Sequence, residues 1–156
     1  MLIGNRYMLK RYNSLDLSIK GYEINQVKSL KYLGLYIDDE LRWDVYVNYL
    51  CEKVGRMISF LRRLTYFINR NSLNLIYRNV ILPHLDYANV IWESSCEKHI
   101  NQLQKLQNRA GRIILKVNPK LHFSVRLIHD ILQWETLKSR QKFHVGVMMF
   151  KILTKA

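Results

Sequence analysis

Apolar and polar residues alternate in short runs over the first 38 positions and then take up a helical spacing. The runs MLIGNRYM, LDLSIKG, YEINQV and LKYLGLYID are separated by turn-forming residues, the pattern of short antiparallel strands. Lys20-Gly21 lies between two of them and predicts a hairpin turn with Gly21 at positive φ. Four short strands bury little by themselves, so they are expected to lean on a larger neighbour.

Beyond residue 40 the period is helical. Val47, Leu50, Cys51, Val54, Ile58 and Leu61 share a face between about Asp44 and Leu64. A second helix is expected after an Asn71-Ser72 cap. It runs to Trp92 with Tyr77, Val80, Ile81, Leu85, Ala88 and Trp92 inward, and Pro83 kinks or splits it. A third spans about Lys98 to Val117, burying Ile100, Leu103, Leu106, Ala110, Ile113, Ile114 and Val117. Pro119 closes it, a short helix covers Ser124 to Leu132, and the last runs from about Glu135 to Leu153 with Leu137, Val145, Met148, Met149 and Ile152 inward. The expected fold class is α+β, mainly α: a small N-terminal antiparallel β-hairpin sheet, then a helical bundle of about four to five helices.

Charge changes the picture. Lys and Arg number 25 against 12 Asp and Glu, a net charge of +13 over 156 residues, which makes polyanions, nucleic acid first among them, the partners to consider. On the third helix Lys98, Lys105, Arg109, Arg112 and Lys116 fall within about 60° of one another, roughly opposite the apolar stripe. A solvated helix face usually mixes signs; these five cations without an acid form the arrangement expected of a surface that follows phosphates. Arg62 and Arg63, with Lys53 and Arg56, extend it, although from different faces of their own helix.

Other chemistry is sparsely represented. Cys51 and Cys96 form no CxxC, and His84, His99, His122, His129 and His144 show no zinc spacing, so neither a metal nor a disulfide is expected. No signal peptide or membrane span is evident, which points to an intracellular protein with no membrane partner. Trp43, Trp92 and Trp134 sit among apolar residues near helix ends and read as core. Tyr36-Ile37-Asp38-Asp39 has the form of a polymerase metal-binding turn. Two-metal chemistry needs a third carboxylate on a neighbouring strand, however, and the only acids upstream are Asp16 and Glu23. Asp38, Asp39 and Glu40 directly precede an amphipathic helix, where acids cap free N–H groups and complement the dipole.

Four ordered blocks carry a resemblance. Lys31-Tyr32-Leu33-Gly34-Leu35-Tyr36-Ile37-Asp38 with Leu41 and Trp43 comes first, then Leu82-Pro83 with Tyr87 and Val90-Ile91-Trp92. Leu103-Gln104, Gln107, Arg109-Ala110 and Arg112-Ile113-Ile114 follow, and Leu132, Trp134 and Arg140 close the series. Together they resemble the region after the catalytic turn of LINE-type (non-LTR retrotransposon, jockey/CR1-like) reverse transcriptases, in the family's order over nearly the whole chain. The chain has Tyr46 where the family commonly has His, and Glu93 where it has Gly.

The resemblance implies that residues 1–38 are the end of the palm, with Lys31, Tyr32, Leu33 and Gly34 in a primer-grip-like hairpin. Residues 40–156 would be the thumb and adjoining helices, holding an RNA–DNA hybrid or duplex by backbone contacts, with Lys105, Arg109, Arg112 and Lys116 along the duplex. It implies no catalysis and no cofactor for this segment alone, magnesium being expected only of the complete polymerase with its fingers and palm. A stand-alone nucleic-acid-binding module derived from a retrotransposon stays open as an alternative. So does a helical protein–protein adaptor whose basic face meets acidic partners.

Overall fold

The computed structural model describes residues 1–11, 17–92, 96–118 and 123–154. Pro119, His122, Glu93 and the Leu15-Asp16 start of the second predicted strand lie outside them. The chain divides into two compact units, Met1–Asn48 and Tyr49–Ala156.

In the first unit the run MLIGNRYM is not a strand. Residues Arg6–Arg11 form a short helix, α1, because the Asn5 side chain accepts a hydrogen bond from the Met8 amide at 2.8 Å and so caps a helical turn. Two two-stranded antiparallel sheets follow. β1 (Ser18–Ile19) pairs with β2 (Tyr22–Glu23) across Lys20-Gly21, whose φ values of 51° and 82° are those of a type I′ turn. β3 (Ser29–Tyr32) and β4 (Leu35–Asp38) pair in the register Ser29↔Asp38 to Tyr32↔Leu35. The run LKYLGLYID is thus a hairpin instead of one strand, folded at Leu33-Gly34 with φ of 46° and 83°. Leu30 and Leu33 are exposed, whereas Leu35 is buried.

Helix α2 covers Asp44–Leu64, beginning in the first unit and continuing through the second. Val47, Leu50, Val54, Ile58 and Leu61 on its predicted face are buried, with Cys51 half-buried. Each fully buried aliphatic side chain of this kind contributes about 1.5–3 kcal/mol. Cys51 and Cys96 are both free thiols.

The predicted second helix is shorter and more irregular. It starts as α3 (Arg70–Ile76), capped by the Asn69 side chain accepting from the Ser72 amide, not by Asn71-Ser72. It widens into a π-helical turn over Tyr77–Ile81 and resumes as α4 (Leu82–Asp86). Pro83 has no N–H and its ring crowds the carbonyl four residues back. The chain adapts by letting the Leu82 amide bond the Tyr77 carbonyl five residues back, so the helix stays continuous where a kink was expected. It ends at Asp86, because Ala88 is left-handed with φ 51°. Val80, within the wide turn, is turned out to solvent and Ala88 is only half-buried, while Tyr77, Ile81, Leu85 and Trp92 are buried.

Helices α5 (Glu97–Ile114), α6 (Val125–Leu132) and α7 (Leu137–Thr154) complete the second unit. The buried face of α5 includes two polar residues, His99 and Gln107, among Leu103, Ala110, Gly111 and Ile114. Gln107 donates to the Glu135 carbonyl at 3.0 Å, and Gln104 receives the Leu137 amide at 2.9 Å, so that α5 fixes the start of α7. The Trp134 ring stacks on Tyr77, 3.9 Å between centroids, and its N–H donates to Asn74 at 2.8 Å. Asp86 and Arg140 form a partly buried bidentate pair joining α4 to α7.

Only Leu137 and Gln141 of α7 are buried. Met148, Met149 and Ile152, expected inward, are exposed, and Val145 is half-buried. Their spacing marks a helix, but among the described residues nothing packs over its second half.

Candidate nucleic-acid interface

The basic face of α5 survives folding and gains a concavity at one end. Lys98, Lys105 and Arg109 are exposed and Arg112 is half-buried, all on the side away from Leu103, Gln107, Ala110 and Ile114. Lys116 lies just past the helix, where the chain leaves by a reversal. The Leu115 amide bonds the Gly111 carbonyl, Lys116 the Ile113 carbonyl (3.1 Å) and Val117 the Arg112 carbonyl (3.0 Å). This is a Schellman stop with Lys116 in its left-handed position, φ 52°. Glycine is the usual occupant there, and a lysine bears strain of roughly 1–2 kcal/mol.

The reversal brings the end of α5 beside the end of α2. Arg62, Arg109, Arg112 and Lys116 line one cleft of about 450 Å³, together with Tyr66 and the apolar side chains of Ile113 and Val117. No carboxylate is among its described lining residues. Cations often collect at helix C-termini simply to offset the dipole. Two C-termini supply roughly one negative charge between them, against four cations in this cleft, so a large positive excess is left facing solvent. α2 stops at Leu64, and the Thr65 hydroxyl donates to the Arg62 carbonyl at 2.7 Å, closing the turn that carries Tyr66 to the rim.

The other predicted residues fall elsewhere. Arg63 packs its guanidinium over the Phe60 ring, 5.6 Å from the centroid, and does not line the cleft. Lys98 and Lys105 lie along α5 outside it. In the first unit, Lys31 and Tyr32 end β3 and Leu33-Gly34 make the turn, so the four form an exposed hairpin tip, with Lys31 over the Tyr36 ring at 5.3 Å.

Asp38 caps the chain ahead of α2. Its carboxylate accepts from the amides of Glu40 (3.2 Å), Arg42 (2.8 Å) and Trp43 (2.8 Å), and the Trp43 carbonyl accepts the Val47 amide at 2.9 Å. A carboxylate turned onto three backbone amides has little left for a metal ion. Among the described residues no three His, Cys, Asp or Glu side chains come together as ligands.

Some cations that charge counting would assign to a ligand are structural instead. Arg78 donates to the carbonyls of Leu132 (3.0 Å) and Gln133 (2.8 Å) at the end of α6. His129 is held 3.0 Å from the Asn108 side chain, and burial lowers its pKa. Burial, and then the Lys53 charge, lower that of His84 as well.

Comparison with known proteins gives relatives of one kind. The chain is 26% identical, over 113 residues, to the probable RNA-directed DNA polymerase from transposon X-element of Drosophila melanogaster. The chain is similar to non-LTR retrotransposon RNA-directed DNA polymerases. That alignment takes in 69% of the chain and 12% of the polymerase. A retrovirus-related Pol polyprotein from the type-1 retrotransposable element R1 4 of Nasonia vitripennis is 30% identical over 82 residues, 51% of this chain and 21% of that protein. The probable RNA-directed DNA polymerase from transposon BS of Drosophila melanogaster is 27% identical over 104 residues, 63% of this chain and 11% of that one. The chain thus spans between a tenth and about a fifth of the relatives it matches. No family model and no solved structure matches it. No helix among the described residues is long and apolar enough to cross a membrane.

Proposed function

We propose that this chain is the thumb-bearing, non-catalytic part of a retrotransposon reverse transcriptase, and that it holds the template–primer duplex by its phosphates. The observation that carries the reading is the single-signed face of α5 running into a cleft lined by four cations. Lys105, Arg109, Arg112 and Lys116 are the contacts along the backbone. Lys98 extends the track toward the helix start, Arg62 closes it from α2, and the exposed Lys31–Gly34 hairpin tip steers the primer end.

The chemistry suits holding rather than reacting. Guanidinium and ammonium groups spaced along a helix neutralise phosphates at whatever base sequence is present, positioning the duplex without reading it. The chain needs no cofactor for this and works with the fingers and palm of a complete polymerase. The test is fluorescence anisotropy with RNA–DNA hybrids of two unrelated sequences. Affinities within about a factor of two of each other, falling steeply with salt, are expected. Strong preference for one sequence, or binding indifferent to salt, would overturn the reading.

A further inference from the structure

The basic face and the cleft are differently built, although they share Arg109, Arg112 and Lys116. A face that only follows phosphates needs cations. The cleft adds a side of another kind: Tyr66, 86% exposed, at the rim and the apolar Ile113 and Val117 on the wall. Trp92 and Trp134 are buried, whereas Tyr66 and Phe67 after α2 stand in solvent, and of these two it is Tyr66 that lines the cleft beside the cations. A duplex, with a major groove alone about 12 Å wide, cannot enter a cavity of about 450 Å³. That volume is in the range of pockets that take single small molecules, about 300–1,000 Å³.

From this we propose that the cleft holds one unpaired nucleotide at the end of a strand, its phosphate between Arg112, Arg62 and Lys116 and its base against Tyr66 and the apolar wall. Every base has a π face, so stacking on Tyr66 accepts any of the bases. Arg109, Arg112 and Lys116 belong to both surfaces, so a duplex lying along α5 delivers its end to the cleft. The strained left-handed backbone at Lys116 is part of the same device, because the chain reversal there leaves Lys116 on the lining of the cleft.

This inference rests on the nucleic-acid reading above and is tested separately from it. Binding of the full chain is measured by anisotropy at one salt concentration, with an RNA–DNA hybrid that is blunt, the same hybrid with a one-nucleotide overhang, and the hybrid with an abasic overhang. The overhang is expected to tighten binding by about five- to tenfold, the effect of one stacked base, with the abasic form in between. Tyr66→Ala is expected to abolish the difference between the overhung and abasic forms and Tyr66→Phe to keep it; the exposure of the side chain makes misfolding of either variant improbable on physical grounds. An overhang that binds no better than the blunt hybrid overturns the inference and leaves the backbone reading standing. Equal affinity for abasic and normal overhangs overturns it too, since the cleft would then sense charge alone. Failure to bind any of the three overturns the nucleic-acid reading itself.

Discussion

Gly111→Ala sets two effects of opposite sign against each other. In a helix, alanine for glycine ordinarily adds about 1 kcal/mol of stability. At Gly111 the added Cβ would lie 2.4 Å from Ile128 Cγ2, 3.3 Å from Trp134 Cζ3 and 3.5 Å from Leu132 Cδ1. Carbon atoms settle at about 3.5–4.0 Å, so α5 and α6 must part by roughly 1 Å or more. Neither neighbour can yield cheaply: Ile128 is fully buried and Trp134 is stacked on Tyr77. Overpacking of this kind costs about 1–3 kcal/mol. With the clash at the upper end, the variant should be less stable by about 2 kcal/mol after the propensity gain. Gly55, in α2, has nothing within 4 Å of its would-be Cβ, so Gly55→Ala should gain up to about 1 kcal/mol. Urea unfolding followed by helical circular dichroism reads both, as opposite shifts in midpoint at unchanged slope. A Gly111→Ala midpoint at or above the parent's would refute the close α5–α6 contact that holds the cation-bearing end of α5.

Three further outcomes are expected. Lys116→Gly relieves the left-handed strain and should raise stability by about 1 kcal/mol while weakening hybrid binding; gain or loss of both together would contradict the role given to Lys116. His129 is buried and its pKa is lowered, so the unfolded chain takes up a proton first on acidification. Stability is therefore lost as pH falls below about 6.5, and the loss should shrink in His129→Gln, as measured by urea midpoints between pH 7 and pH 5. Asp38→Ala removes the acceptor for three backbone amides and should cost about 2 kcal/mol, read from the Trp43 near-ultraviolet signal during unfolding; an unchanged midpoint would rule out the capping role.

Helical periodicity carried most of the fold. α2 runs between its predicted ends, and Trp43, Trp92 and Trp134 are buried as their apolar neighbours suggested. Where the reading failed, a local effect outweighed the pattern. Asn5 capped a helix inside an apolar run that looked like a strand, and alternation could not distinguish a strand from a hairpin folded at Leu33-Gly34. Pro83 was met by a π turn, an adjustment visible only in the hydrogen bonds. Met148, Met149 and Ile152 have core chemistry and helical spacing, but spacing does not say whether a neighbour covers them. Of the site, the cations of α5 were legible because they share a face of one helix. Arg62 was legible as a cation, but its meeting with Arg112 and Lys116 depends on residues some fifty positions apart packing side by side, and Tyr66 could be found only once the turn after α2 was seen.

The central claim is that α5 and its cleft hold nucleic acid by phosphate contacts, and the slope of log affinity against log salt for an RNA–DNA hybrid measures it. Each phosphate contact contributes roughly 0.9 to that slope for a B-form duplex, so replacing Lys105, Arg109, Arg112 and Lys116 by Gln should flatten it by about 3 to 4 and weaken binding at low salt. A folded quadruple variant with the parent's affinity and the parent's slope would contradict the account.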